Sequence, residues 1–252
     1  MRKVLTGAVA ALAVFGCVLS VAATAGETLR IGTEGAYAPF NVIEPDGTVT
    51  GFDLDLAFAL CKKMDVECSV YTQEWTGLIP ALKARKFDFI IASMSITDER
   101  LREIDFTDRY YTNKLNFVAK KGVLADNGKE SMKGKSVGVQ EGTLAEEWLT
   151  TNYPDTIVKK YETQQKAYHD LVTGQLDAVL ADMLVNWSWV ETPEGKGFEF
   201  LGEPVFDDDK VGIGVRKEDS ELKERLNQAL VEVLADGTYQ TINARYFPFS
   251  IY

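Results

Sequence analysis

The chain has 252 residues, is 46% hydrophobic and carries a formal net charge of −11. That apolar share is enough for a packed core and excludes a disordered chain; the length suits one large domain or two modest ones. The acidic balance speaks against nucleic acid and anionic membranes as partners and mildly favours cationic small molecules.

The first predicted element is a leader. Met1-Arg2-Lys3 is basic, an apolar run extends from Val4 to Ala23, and Ala23-Thr24-Ala25 supplies a small-x-small pattern before Gly26-Glu27. This order predicts a secretory signal peptide over residues 1–25 and a periplasmic mature protein. Val14-Phe15-Gly16-Cys17 loosely resembles a lipoprotein cleavage box, which would anchor the chain at Cys17. The bulky Phe15 fits that box poorly, and the residues after Cys17 stay apolar. Cleavage after Ala25 removes two basic residues and no acidic one, taking the charge from −11 to −13.

Alternation of strands and helices follows. Leu29-Arg30-Ile31 reads as a strand ending near Glu34-Gly35. Asp53 to Met64 reads as a helix with Asp53 as its N-cap. Ser69-Val70-Tyr71 is a second strand. A helix covers Leu78 to Lys83, with Pro80 tolerated in its first turn. Phe87 to Ala92 is a third strand, and Thr97 begins another helix. This order predicts right-handed crossovers and a parallel sheet.

The pattern then repeats. Strands are predicted at Asn116–Ala119, Ser136–Gln140, Ile157–Tyr161, Leu176–Ala181 and Gly212–Val215. Helices are predicted from Thr143 through Trp148, from a Thr163 cap to Gly174, and over Ser220–Leu234, the last closing at Asp236-Gly237. No low-complexity linker divides the chain. Two α/β halves without a linker fit two lobes joined by strands.

Several chemistries can be weighed at once. Cys61 and Cys68 survive cleavage, and two nearby cysteines in an exported protein suggest a disulfide. Such a bridge would add roughly 2.5 kcal/mol in the chain-entropy model; two free buried thiols are the alternative. Two cysteines and a single histidine, His169, are too few for a metal site or a Ser-His or Cys-His mechanism. Gly134-Lys135-Ser136 looks like the end of a phosphate loop, but that loop needs glycine where Lys129 stands, and Gly128 misses by one position.

The functional signal lies at strand ends, where open α/β sheets bind ligands. Glu34, Ser93 with Ser95, Glu141-Gly142-Thr143 and Asp182 each follow an apolar strand. Singly, each has a local explanation: Ser95, Thr97 or Asp182 can cap a helix, and Glu34 can be solvated. Together they point to one ligand-facing edge. Arg100 is the most informative. With Thr97 as N-cap it takes the third helical position, where a capping box favours Glu or Gln and where a cation opposes the helix dipole by roughly 0.3–1 kcal/mol. Asp98 and Glu99 can offset that cost. Alternatively an anion sits there, held by free backbone N–H groups and the guanidinium fork.

These segments together resemble bacterial extracellular solute-binding proteins of the polar amino-acid class, which serve ABC importers. The resemblance spans the mature chain from RIGTEGAYAPFN (30–41) through GFDLDLAFALCKKM (51–64), IIASMSITDER (90–100), IDFTDRYY (104–111), GVQEGT (138–143) and QLDAVLAD (175–182) to YFPFSIY (246–252). It implies the two-lobed type II periplasmic-binding-protein fold. Residues 26–113 and 212–252 would form lobe I and residues 114–211 lobe II, with hinge strands near Thr112–Phe117 and Asp208–Gly212. It also implies site roles. Arg100 would hold the ligand α-carboxylate, helped by backbone N–H groups at Ser95 and Thr143. Asp182, the Ser93 carbonyl and the Ser95 hydroxyl would hold the α-ammonium. Tyr37 and Trp75 would sandwich the side-chain stem, Glu34 would meet a cationic side-chain end, and Gln140 falls on the pocket-facing stretch.

The family often has serine at Ala92 and glutamine at Ala145, so both positions would lose polar contacts and widen the pocket. The resemblance implies a free basic amino acid as ligand, with an opine or another polar amino acid as the alternative. It implies a monomer without cofactor or metal that docks on membrane permease subunits, with the ATPase on a separate chain. Two other classes remain. One is a periplasmic enzyme similar to cyclohexadienyl dehydratases, for which Glu34 or Glu141 would supply the acid. The other is a sensor module that docks a receptor.

Overall fold

A computed structural model describes residues 26–252; the expected leader, its cleavage point and Cys17 lie outside the described residues. Strand β1 (Thr28–Thr33) opens the fold with Ile31 fully buried. Three short strands, β2 (Ala36–Tyr37), β3 (Asn41–Ile43) and β4 (Val49–Thr50), form a small antiparallel sheet of their own. Helix α1 (Phe52–Lys63) follows.

The expected N-cap of α1 is corrected. Gly51 takes that place at φ 124°, because a Cβ there would stand 2.2 Å from the Phe40 carbonyl oxygen. Asp53 is instead a buried residue of the first turn. Its carboxylate accepts from Tyr110 Oη at 2.7 Å, Asn41 Nδ2 at 2.9 Å and Ser93 Oγ at 3.2 Å. These interior donors take the place of the helix amides.

Strand β5 (Glu67–Thr72), helix α2 (Leu78–Lys83) and strand β6 (Phe89–Ile90) complete the first βαβ unit. β1 pairs in parallel with both β5 and β6. Gly32 on β1 lets Phe87 pack close, since a Cβ there would meet the ring at 2.4 Å. The third predicted strand, Phe87–Ala92, is shorter than expected. Its pairing stops at Ile90, and Ser93 turns the chain at φ 53°.

Helix α3 (Asp98–Glu103) leads to β7 (Asp105–Lys120). Helix α4 (Lys129–Met132), strand β8 (Ser136–Gln140), helix α5 (Leu144–Asn152), strand β9 (Ile157–Tyr161), helix α6 (Gln164–Val172), strand β10 (Ala178–Asp182) and helix α7 (Met183–Val190) make the second half. β11 (Phe198–Val215), α8 (Ser220–Ala235) and α9 (Thr238–Tyr246) close the chain. Gly237 at φ 83° ends α8 as its sequence predicts. Asp182 precedes α7 without a side-chain cap bond, so it is not spent on capping.

The main sheet runs β5-β1-β6-β11-β7-β10-β8-β9. Its outer groups are parallel, as the crossovers require. Its centre is not: β7 and β11 run antiparallel to each other through both halves, and the fully parallel expectation fails there. Their register shifts at four places between Leu201 and Gly214. Two apolar clusters flank the ends, one with Leu78, Phe87 and Ile90, the other with Val137, Leu149 and Leu180. A larger one holds Phe40 stacked on Tyr111 at 4.9 Å between centroids.

Cys61 in the last turn of α1 and Cys68 on β5 form the expected disulfide, with Cα atoms 6.2 Å apart. The pairing of β5 with β1 is thereby tied to α1. Replacing both cysteines by alanine should lower unfolding stability by about 2–3 kcal/mol in urea titrations. An unchanged midpoint would remove the bridge from the stability of this half.

Candidate functional site

The strand ends meet in one narrow, tightly closed cavity. Tyr37, Trp75, Ser93, Ser95 and Arg100 line it from the first half; Gln140, Thr143, Leu144 and Asp182 line it from the second. Eight of the expected residues therefore come together, and Leu144 joins them without having been expected. Glu34 and Ala92 stand behind the wall. Ala92 is packed among Leu78, Leu82 and Met94, and Ala145 lies in the cluster of Val137 and Leu149. Their lost side chains do not widen the cavity directly. Glu141 is exposed and outside it.

Thr97 caps α3, its hydroxyl accepting from the Arg100 amide at 3.2 Å, so Arg100 is the third helical residue as predicted. Its guanidinium turns away from the helix. Nη1 donates to the Ser95 carbonyl at 2.8 Å and Nη2 to the Gly142 carbonyl at 3.0 Å. The guanidinium carbon lies 5.1 Å from the centroid of the Trp75 ring, close enough for a cation–π contact. Burial pushes the Arg100 pKa down, while Asp209 and Asp182 push it back up.

The anionic side is built on the sheet. Asp182 ends β10 opposite Leu115 of β7, and Asp209 of β11 stands opposite Asn113, two residues along the same face. Both carboxylates are buried. Asn113 Nδ2 donates to Asp209 Oδ2 at 3.0 Å. Burial raises the pKa of Asp182, and the nearby Asp209 raises it further; Tyr37, Asn113 and Arg100 oppose the shift. Asp209 is raised by burial too. Asp209 was not expected from the sequence. It is the one buried member of Asp207-Asp208-Asp209, and a run of three acids reads as a solvated loop. Strand alternation with Val211 was the signal that could have found it.

Ser93 is held at its left-handed turn from below. Its hydroxyl donates to Asp53, and its amide donates to Tyr110 Oη at 3.1 Å. On the other side, Thr143 caps α5 and donates its hydroxyl to the Gln140 carbonyl at 2.7 Å. Gln140 Nε2 in turn donates to Glu34 Oε1 at 2.6 Å across the two halves. Glu34 thus touches the cavity wall through Gln140. Burial raises its pKa to about 7, and the Gln140 bond opposes that shift. A larger groove lies on the far side of Arg100, with Glu99, Glu103, Glu146 and Glu147 on its walls. It is open to solvent and has neither the aromatic rings nor the serines of the enclosed cavity.

Arg100 and Asp182 give the enclosed cavity a fixed cation and a carboxyl that can ionise beside an arriving ammonium, which suits a small zwitterion. Glu34 gives a pH signature. Its folded pKa lies above the unfolded value, so the folded form binds the proton more tightly. Its contribution is fully present below about pH 4.5 and is lost as pH rises to about 7. Glu34→Gln should flatten the loss of stability over that window in protein stripped of ligand. At pH 8 it should be the more stable form by up to roughly 3 kcal/mol. Denaturation curves that superimpose from pH 4 to 8 would show that Glu34 ionises freely.

The family model for bacterial extracellular solute-binding proteins, family 3, matches residues 29–249. An L-arginine-binding protein from Pseudomonas aeruginosa is 43% identical over 235 residues, covering 90% of this chain and 91% of the relative. The lysine/arginine/ornithine-binding periplasmic protein of Escherichia coli is 40% identical over 233 residues, covering 90% of each chain. Among solved structures, an ancestral arginine-binding protein bound to arginine superposes with a TM-score of 0.83 at 39% identity, covering 87% of this chain and 98% of that one. With the two-lobed architecture and a cavity at the strand ends that both halves line, these matches have one meaning: the chain belongs to family 3 of the bacterial extracellular solute-binding proteins.

Proposed function

We propose that this protein is the periplasmic substrate-binding component of an amino-acid ABC importer, closing over a basic L-amino acid such as arginine, lysine, ornithine or histidine. The observation that carries the reading is the joint presence of Arg100 and Asp182 on one enclosed cavity with Tyr37 and Trp75. Arginine-binding relatives at about 40% identity support the ligand class.

In this reading the ligand first meets lobe I, residues 26–113 and 212–252. Its carboxylate exchanges with the carbonyls that now occupy the Arg100 fork. Lobe II, residues 114–211, then turns about β7 and β11 and brings Asp182 over the ammonium. Tyr37 and Trp75 flank the side-chain stem. A cationic side-chain end would lie near the Glu34–Gln140 pair. Membrane permease subunits are the proposed partners of the closed form, and a monomer suffices for that docking. No chemical step is assigned to the protein.

A thermal-shift panel on stripped protein tests this directly, using the amino acids, ornithine, citrulline and opines, with prephenate and arogenate as enzyme probes. Basic L-amino acids should give the largest shifts, since a ligand bound only by the folded state stabilises with the logarithm of its concentration. Arg100→Ala should weaken binding by about 100-fold or more, because two charge-assisted hydrogen bonds of about 1.5–3 kcal/mol each are lost. Largest shifts from acidic or aliphatic amino acids would refute the ligand class. Conversion of prephenate or arogenate would replace the transport reading with an enzymatic one.

Binding should also release protons. The carboxyl of Asp182 holds its proton unusually tightly in the cavity, and a ligand ammonium must displace it. Affinity should therefore tighten as pH rises from about 5.5 to 8, and calorimetry in buffers of different ionisation heat should register the proton. A flat profile would place the ammonium away from Asp182.

A further inference from the structure

Trp75 was expected to act through its ring, as one wall of the ligand sandwich. The structure gives its indole nitrogen a different task. Nε1 donates to the Gly142 carbonyl at 3.0 Å, a bond between residues 67 apart and on opposite halves. The same carbonyl accepts from Arg100 Nη2 at 3.0 Å. Two donors of the first half thus converge on one acceptor of the second, and all three groups belong to the chain itself.

Both ends of this contact are held firmly. Gly142 sits at φ 72°, a conformation that favours glycine, and this aims its carbonyl across the cleft. Its amide donates to Glu146 Oε2 at 2.6 Å, and Glu146 Oε1 is paired with Lys160 Nζ at 2.5 Å. The next residue, Thr143, caps α5. A Cβ on Gly142 would lie 3.5 Å from Trp75 Nε1, so the two halves meet there at van der Waals distance. On the other side, Trp75 opens a short 3-10 helix, Trp75–Gly77, that runs directly into α2 and packs on the cluster of Leu78 and Phe87. The Arg100 guanidinium occupies part of the ring's surroundings at 5.1 Å.

We propose that the Trp75 indole N–H is a positioning group that latches the two lobes together through the Gly142 carbonyl, so that this N–H, apart from the ring's own contact with the side-chain stem, sets how long a ligand stays. The inference rests on the binding reading above for its kinetic consequence. The latch touches only backbone on the second lobe, so it acts equally on every ligand enclosed. A stacking wall, in contrast, would weigh each side chain differently.

The test removes the donor. Trp75→Phe does so but also shrinks the ring; benzothienylalanine at position 75, an indole isostere with sulfur in place of N–H, keeps the ring's shape and isolates the hydrogen bond. Stopped-flow release of L-arginine and of L-histidine, and small-angle scattering of the stripped proteins, are compared with the parent. The release rate should rise about 5-fold for both ligands with their rank order kept, as the loss of one neutral hydrogen bond requires. The stripped isostere should show a larger radius of gyration than the parent. Unchanged release from the isostere, or a change confined to one ligand, would overturn the latch. If the parent binds no amino acid, the binding reading fails on that ground, and the scattering comparison alone decides the latch: equal radii overturn it.

Discussion

A guanidinium set where two halves of a protein meet keeps its charge, because arginine does not deprotonate under conditions a fold survives. Arg100 must therefore be answered by acceptors, and the junction supplies them. The Ser95 and Gly142 carbonyls take its hydrogen bonds, the Trp75 ring offers its face, and Asp182 and Asp209 supply the counter-charge. The cost of turning a cation against the dipole of α3 is small beside these contacts. It also explains why α3 is capped by a neutral threonine: the cap satisfies the helix amide and leaves the arginine side chain free for the cleft.

The acids around that cation are handled differently from those on the surface. Surface pairs such as Arg225 with Glu27 meet opposite charge directly. Inside, Asp53, Glu34 and Asp209 are met by neutral donors: Tyr110, Asn41 and Ser93; Gln140; Asn113. Neutral hydrogen bonds orient a carboxylate without cancelling its charge. Burial raises the pKa of each of these groups, so each holds a proton more readily than a surface acid. A nearby cation draws such acids into the ionised form. A ligand that brings more positive charge than its carboxylate removes is therefore favoured.

The sequence made local features legible and long-range ones obscure. The Thr97, Thr143 and Thr163 caps and strands β8 and β9 are read from neighbouring residues, and they fall where expected. The length of β7 does not show, because Asn113 and Asn116 are polar yet buried and break its apolar pattern. Asp53 reads as a cap because Asp is a good one; nothing nearby tells that Tyr110 lies above it. Asp209 hides among its acidic neighbours. The Glu34–Gln140 bond joins residues 106 apart, a separation that no local pattern encodes. Eight of the expected residues share one cavity because strand ends converge by topology, while the contacts that tune them come from the sheet's centre.

That centre also bears on how the lobes move. β7 and β11 belong to both halves, so the halves are joined by a continuous ribbon whose register shifts interrupt regular pairing; in the reading proposed above, that ribbon is where they turn. The side-chain hydrogen bonds that join the two walls of the cavity without using the Arg100 fork are few: Trp75 to Gly142, and Gln140 to Glu34. At roughly 1 kcal/mol net each, with more for those involving a charge, they amount to a few kcal/mol. A two-state equilibrium moves from 1:99 to 99:1 for about 5.5 kcal/mol of differential binding. The chain's own latches therefore supply part of what closure needs and leave the rest to whatever spans Arg100 and Asp182. A trap built this way closes because its cargo touches both walls, and it can reopen because no single wall-to-wall contact is strong enough to keep it shut.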